Sequence, residues 1–280
     1  MTILITGANG QLGTELKKLL DEKELSYYGA DSKELDITNK LEVDLFIEKN
    51  LPTVIYHCAA YTAVDKAEDE GKELNQLINV DGTRYVAQAA ERIGATFVYI
   101  STDYVFDGKN QEQYQVDDQP NPQNEYGRSK YEGELEVEKY CSKYYIIRTS
   151  WVYGGFGSNF VFTMQKLAEK NSVLTIVNDQ IGRPTWTRDL AEFMLFIVDK
   201  KVEYGIYHFS NDDECSWFEF AKEILKDKKI EITPVDSASF SQKAHRPMHS
   251  ILDLSKSKEL GFTIQTWQVA LQNMLDGLNK

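Results

Sequence analysis

Residues Met1 to Gly13, MTILITGANGQLG, constrain the fold of this chain more than any other stretch. Thr2 to Thr6 contains the continuous apolar run Ile3-Leu4-Ile5, which predicts a short strand buried on both faces. The glycine turn Gly7-Ala8-Asn9-Gly10-Gln11-Leu12-Gly13 follows at once. Leu12, Leu16, Leu19 and Leu20 then fall at helical spacing. A strand, a glycine turn and a helix form the phosphate-cradling half of a dinucleotide fold. Glycines allow a tight turn, close approach to a pyrophosphate and helix-on-strand packing, and the helix N-terminus offers free N–H groups. The spacing here, GxxGxxG, is one residue longer at the front than the GxGxxG fingerprint. As a bare pattern it also fits a glycine turn in some other α/β protein; its place directly behind a strand favours the dinucleotide reading.

The alternation continues along the chain. Leu25 to Gly29 predicts a second strand, ending near Ala30 and Asp31. Asp31 lies about twenty residues past the turn, where an acid accepts hydrogen bonds from an adenosine ribose 2′-OH. It reads equally well as a solvated loop acid beside Ser32, Lys33 and Glu34. Asp36 is placed to reach the adenine, and Lys33 to meet a 2′-phosphate, so NADPH and NADH both stay open. Leu41 to Asn50 predicts a helix, and Val54 to Ala60 a third strand ending in small residues. Tyr61 to Asp69 and Glu73 to Ile93 have helical patterns, and Ala95 to Ile100 predicts a fourth, buried strand. Asn79 reads first as a helix polar residue without a role, and second as a structural or water-holding residue. The order βαβαβαβ predicts an α/β doubly wound parallel sheet (Rossmann), with ligands beyond the strands' carboxyl ends.

The formal net charge of −13 argues against a nucleic-acid partner, since neutralising phosphates needs a basic surface. Cys58, Cys141 and Cys215 form no CxxC pair, and Cys58 reads as a small core residue. The four histidines form no HExxH pattern, and no metal site is expected. The first strand begins at once, and no signal peptide is expected before it. No apolar run approaches the ~18 residues a membrane span needs. A cytoplasmic protein away from membranes is expected.

Candidate chemistry begins where the fourth strand ends, at Ser101-Thr102-Asp103-Tyr104. A polar loop, Gln111 to Asn124, leads to Tyr126-Gly127-Arg128-Ser129-Lys130, which opens a helix to about Tyr140. Tyr126 and Lys130 share one helix face. A tyrosine with a pKa of ~10 is a poor acid–base group at neutral pH. A neighbouring ammonium, with an oxidised nicotinamide's charge, favours the phenolate. Tyr126 then exchanges a proton with a carbonyl or alcohol oxygen that Thr102 hydrogen-bonds. Lys130 is also placed to hold the nicotinamide ribose. Trp151 follows the apolar strand Tyr144 to Ile147, again at a carboxyl end, and reads as a ligand contact or as a core tryptophan.

GANGQLG at Gly7, CAAYTAVDKAE at Cys58, STDYVFDG at Ser101, YGRSKYEGE at Tyr126, RTSWVYG at Arg148, NDQIGRPTW at Asn178 and the late Arg246-Pro247 occur in that order. With them the chain resembles the extended short-chain dehydrogenase/reductases, and within these the dTDP-4-dehydrorhamnose reductase family, over nearly its whole length. The resemblance implies Tyr126 as proton donor, Lys130 as its partner and Thr102 as ligand of the substrate oxygen. It implies that Gly7, Gly10, Gln11, Leu12, Gly13, Asp31, Asp36, Ile37, Ala60, Tyr61 and Thr62, with Tyr126 and Lys130, contact NADPH or NADH. Asp103 and Trp151 then join Thr102 in contacting a dTDP-sugar. The implied reaction is reduction of a 4-keto group, completing dTDP-L-rhamnose for a cell-wall polysaccharide.

Sugar-nucleotide dehydratases of the superfamily carry Asp-Glu where this chain has Asp103-Tyr104, so elimination lacks a second carboxylate. An epimerase remains an alternative. So does a non-catalytic regulatory subunit of the same fold, although a scaffold has no need of Thr102, Tyr126 and Lys130. Arg183, Arg246 and Lys243 are the candidates for a diphosphate. Residues 1–150 are expected to form the NAD(P)-binding domain. Residues 151–280 should mainly form the sugar-nucleotide lobe, some of their strands returning to the first sheet. Some relatives dimerise through a metal on surface glutamates. Glu15 matches one such position, but Arg188 falls at a second, so Glu15 is expected to be a solvated first-turn acid and the chain a monomer.

Overall fold

The computed structural model describes residues 2–240 and 242–278; Met1 in the opening stretch and Ser241 in the loop after Ser237 lie outside them. The first half runs β1 (Ile3–Thr6), α1 (Gln11–Glu22), β2 (Tyr27–Ala30), α2 (Lys40–Asn50), β3 (Val54–His57), α3 (Val64–Ala67), α4 (Lys72–Gln76), a π-helical segment (Leu77–Gly82), α5 (Thr83–Ile93), β4 (Thr96–Thr102), α6 (Glu125–Tyr140) and β5 (Tyr144–Thr149). The second half runs β6 (Val152–Tyr153), α7 (Phe160–Ala168), β7 (Val173–Val177), β8 (Ile181–Gly182), β9 (Thr185–Trp186), α8 (Thr187–Asp199), β10 (Gly205–His208), β11 (Cys215–Ser216), α9 (Trp217–Ile224), β12 (Glu231–Val235), α10 (Ser255–Glu259) and α11 (Trp267–Leu278).

Six parallel strands form the central sheet in the order β10-β5-β4-β3-β1-β2. This is the doubly wound Rossmann architecture. Its strand order reverses between β1 and β3, which opens a crevice at the carboxyl ends. The apolar run of β1 is covered on both faces. Ile3 and Ile5 pack with Leu16 and Leu19 of α1 and Phe193 of α8, while Leu4 packs with Val43 and Ile47 of α2 and Val86 of α5. Each such buried side chain contributes about 1.5–3 kcal/mol.

Three two-stranded pairs (β7 with β12, β8 with β11, β6 with β9) and α7, α9 and α11 build a smaller lobe. Tyr153, Met164, Phe220, Trp267 and Leu271 form its core. β10 lies beyond residue 150 and joins the large sheet beside β5. Among the described residues no helix is long and apolar enough to cross a membrane.

Three local expectations change. The second strand starts at Tyr27 rather than Leu25, because the chain turns through Glu24 in a left-handed conformation (φ 55°). The third strand ends at His57. The Cys58 N–H still reaches Thr6 O, and Cys58 to Ala60 then form a loop facing the crevice. Glu15 is buried, not solvated. It sits one turn past the start of α1, where that helix packs on α8, and Arg188 stands 3.9 Å from its carboxylate. Burial raises its pKa, with Lys18, Arg188 and Thr187 opposing.

Candidate active site

The glycine turn is folded onto itself. Gly10 N–H donates to Gly7 O at 3.0 Å, and Thr14 N–H donates to Gly10 O at 2.9 Å to begin α1. A Cβ on Gly13 would stand 2.3 Å from Gly7 O, so only glycine allows this close approach. Gly10 occupies the N-cap and supplies no side-chain acceptor, which leaves the first N–H groups of α1 to a ligand. A cavity of about 670 Å³ opens beside them at the strands' carboxyl ends. Asp103 Oδ2 and Ser101 Oγ in its wall are buried without a hydrogen-bond partner. An uncapped helix end, a turn too tight for any Cβ and unpaired polar atoms fit a dinucleotide whose pyrophosphate rests on the turn.

The residues expected at the cofactor divide into two groups. Gly10, Gln11, Leu12, Ala60, Thr62, Tyr126 and Lys130 line the cavity, as do Thr102, Asp103 and Trp151. Gly7, Gly13, Asp31, Asp36, Ile37 and Tyr61 stand outside its wall. Asp31 accepts hydrogen bonds from Lys33 N–H and from the Asn9 amide. Those bonds hold its carboxyl well below the usual range, at about 2. Asp36 closes a turn by accepting both the N–H and the hydroxyl of Thr38. Ile37 is buried close to Gly82. The main chain of Tyr61 is clamped by Asn79, whose Oδ1 accepts its N–H at 2.9 Å and whose Nδ2 donates to its carbonyl at 3.1 Å. Asn79 is fully buried and also bonds Asn75 and Ser129. Its role is therefore structural: it ties the loop after β3 to α6.

Three elements bring the acid–base residues together. β4 ends in Thr102, whose hydroxyl accepts Tyr104 N–H at 3.2 Å and stands 3.0 Å from Asp103 Oδ1. The Asn124 side chain caps α6 by accepting Gly127 N–H at 2.7 Å, which places Tyr126 in the first turn. At Gly127 a Cβ would meet Tyr104 O at 2.1 Å. The missing side chain lets α6 press against the end of β4, which brings Tyr126 beside Thr102 in the cavity wall. The Tyr126 ring meets Tyr104 edge-on at 5.9 Å.

The electrostatics differ from the sequence expectation that Lys130 makes Tyr126 acidic. Burial raises the Tyr126 phenol, the charge of Asp103 adds to the rise, and the neighbouring Thr102 hydroxyl opposes it. Lys130 is itself pushed down to about 7 by burial, against the attraction of Glu134. A low-dielectric wall disfavours both charged forms, and in the protein alone this exceeds their mutual help. Tyr126 thus rests protonated, as a proton donor must. Cys58 packs against the sheet core and also faces the cavity, where burial pushes its thiol up to about 12.

Trp151 occupies a left-handed conformation (φ 46°), and its indole stacks on Trp217 at 3.6 Å. Both indoles line the cavity, and both also pack against the core of the smaller lobe. Trp151 thus stands both in the cavity wall and against the lobe's core. Sequence reasoning missed Trp217. Its signal was the capping box Ser216–Glu219, which puts this tryptophan on the first turn of α9. None of the three diphosphate candidates lines the cavity. Arg183 is buried and donates to Leu252 O, Arg246 pairs with Asp65, and Lys243 pairs with Asp69. Among the described residues no cluster of three or more His, Cys, Asp or Glu could hold a metal ion.

Asp103 gives a pH prediction. Burial lifts its carboxyl from 3.8 to about 6, with the Thr102 hydroxyl 3.0 Å away opposing the rise. A raised acid favours the folded state while protonated, so that stability is present below pH 3.8 and lost as pH rises to about 6. Asp103→Asn should therefore stabilise the protein at pH 7.5 by about 2–3 kcal/mol, and by far less near pH 4. Urea titrations at both pH values measure the difference; an equal effect at both would refute the assignment.

Comparison with known proteins agrees with this geometry. The family described as RmlD substrate binding domain matches residues 1–280. A dTDP-4-dehydrorhamnose reductase of Aggregatibacter actinomycetemcomitans is 42% identical, covering 97% of both chains. A dTDP-4-dehydrorhamnose reductase from Bacillus anthracis, solved in complex with NADP, is 43% identical with a TM-score of 0.95 over 99% of both chains. One from Clostridium acetobutylicum reaches a TM-score of 0.97 at 42% identity over 100% of both. With a family match from first residue to last, and relatives this similar over their full lengths, the chain belongs to the RmlD substrate binding domain family.

Proposed function

We propose that this chain is an NAD(P)H-dependent oxidoreductase that reduces the 4-keto group of dTDP-4-dehydro-β-L-rhamnose to a hydroxyl, giving dTDP-L-rhamnose. The observation that carries the reading is the meeting of Thr102, Tyr126 and Lys130 in the cavity that the glycine turn opens into. The N–H groups at the start of α1 hold the pyrophosphate of the cofactor, and Ala60, Thr62 and Lys130 its nicotinamide half. Bound NADPH or NADH supplies the hydride to C4.

As C4 is reduced, its oxygen becomes basic. Tyr126 gives that oxygen its proton, and Thr102 donates a hydrogen bond first to the keto oxygen and then to the phenolate left behind. The Lys130 ammonium stabilises that phenolate, so the charge ends between two donors. Asp103 accepts a sugar hydroxyl, and the Trp151–Trp217 pair packs against an apolar sugar face. Residues 1–150 serve mainly the cofactor, and the smaller lobe serves the sugar nucleotide.

The oligomeric reading is a monomer. Arg188 hydrogen-bonds Glu22 and Glu192 and faces Glu15, so a cation of the chain's own already answers that acidic cluster. The test is an absorbance assay of reduced cofactor with the 4-keto sugar nucleotide. Loss of signal at a light-scattering mass near 32.1 kDa is the expected result. Cofactor binding without turnover would favour a non-catalytic subunit, and a doubled mass would overturn the monomer.

A further inference from the structure

Lys130 is buried, yet among the described residues its ammonium makes no hydrogen bond and no ion pair. Its Nζ lies instead over the ring face of Tyr99, 4.1 Å from the centroid. A buried ammonium without compensation is costly. A carboxylate would relieve that cost but would use up the N–H donors. An aromatic face attracts the cation through its quadrupole and leaves the donors free.

The surroundings make this seat specific. Tyr99 is fully buried on β4, and its hydroxyl donates to the main-chain carbonyl of Lys130 at 3.2 Å. One residue thus touches Lys130 at both ends. Gly133 makes room for it, since a Cβ there would stand 2.3 Å from the phenol oxygen. His57 of β3 stacks with the same ring at 6.0 Å and 18°. Thr6 and Thr83 hydrogen-bond that imidazole, and burial keeps it neutral, with a pKa of about 3. It therefore brings no competing positive charge. Glu134, one turn along α6, is held by Arg148 through two hydrogen bonds of 2.9 and 2.7 Å. That carboxylate attracts Lys130 from a distance without binding it. Cys58 after β3 stays a neutral thiol, and Tyr126 on the same helix face rests protonated.

We propose that Tyr99 is a positioning residue of the reaction: its ring face seats the Lys130 ammonium and keeps the cation's N–H groups turned toward the cavity. Asn79 and Ser129 hold the helix nearby, but among the described residues only Tyr99 holds the charged end.

The inference rests on the reductase reading only for its turnover measurement, so the test has a second arm. Tyr99 is replaced by phenylalanine, leucine or pentafluorophenylalanine, which keeps the ring's shape but makes its face electron-poor. Labelling of Lys130 by acetic anhydride is followed against pH by peptide mass spectrometry. The leucine and pentafluorophenylalanine proteins should reach half-labelling about one pH unit lower than wild type, a tenfold change in proton affinity. The phenylalanine protein should stay within a few tenths. In the absorbance assay the alkaline limb of kcat/KM should move down by the same amount.

Equal labelling profiles for phenylalanine and pentafluorophenylalanine would overturn the proposal. So would a phenylalanine protein displaced as far as leucine, which would assign the effect to the hydroxyl. If the leucine protein does not fold, the pentafluorophenylalanine protein, of the same shape, decides alone. Wild type that labels as expected but turns nothing over would refute the reductase reading and leave the seat intact.

Discussion

Tyr126→Phe is expected to lower kcat by about 10²–10⁴-fold, the usual contribution of one positioned acid–base group. The loss follows from the site. Tyr126 is the phenol beside Thr102 in the cavity wall, and its raised pKa keeps it protonated at neutral pH. A phenyl ring has no proton to give, and Thr102 shares its one proton between Asp103 and the substrate oxygen. Cofactor affinity should change by no more than a few-fold, because the ring that meets Tyr104 at 5.9 Å is retained. Single-turnover absorbance and a NADPH fluorescence titration separate the two effects. Full turnover in this variant would move the proton donor elsewhere.

Glu134→Ala should give the largest loss of stability of any single change near the site. The Glu134–Arg148 pair has side chains 1% and 3% exposed. Removing the carboxylate leaves a buried guanidinium held, among the described residues, by Val116 O at 3.1 Å and the face of Phe106. Breaking such a pair from one side costs about 3–5 kcal/mol. At this chain length that is a drop in Tm of roughly 6–20 °C. The double variant Glu134→Leu with Arg148→Met should recover most of it, because an apolar pair of similar volume avoids the desolvation. Scanning calorimetry of the three proteins measures this. A single variant that melts with wild type would show the pair to be energetically idle.

Much of the large lobe was legible because its strands are buried on both faces. Continuous apolar runs such as Ile3-Leu4-Ile5 can mean little else when a glycine turn and a helical pattern follow. The candidate site was legible for a related reason: in a parallel sheet the carboxyl ends of the strands share one edge, so Thr102 after β4 and Trp151 after β5 line one cavity. Tertiary packing was not legible. Glu15 looked solvated because nothing in its neighbourhood announces that α8, more than 150 residues later, will cover α1. The Tyr126–Lys130 spacing placed both on one helix face but said nothing of Tyr99, whose ring lies under the ammonium, or of burial strong enough to raise the phenol. Trp217 was missed because its stacking partner lies in a strand–loop segment distant in sequence. The three cations offered to a diphosphate stand outside the cavity wall for a similar reason: spacing shows a charge and hides what holds it, Asp69 for Lys243, Asp65 for Arg246 and the Leu252 carbonyl for Arg183.

The position of β10 bears on how the chain is made. Its four residues hydrogen-bond along β5, but they leave the ribosome only after residues 150–204. Until then β5 is an open border, its outward amides and carbonyls bound to water and available to another extended chain. The nucleotide-binding half thus cannot be finished during its own synthesis. Its last strand arrives together with much of the sugar lobe, and nascent chains stalled near residue 200 should be the form most prone to aggregate.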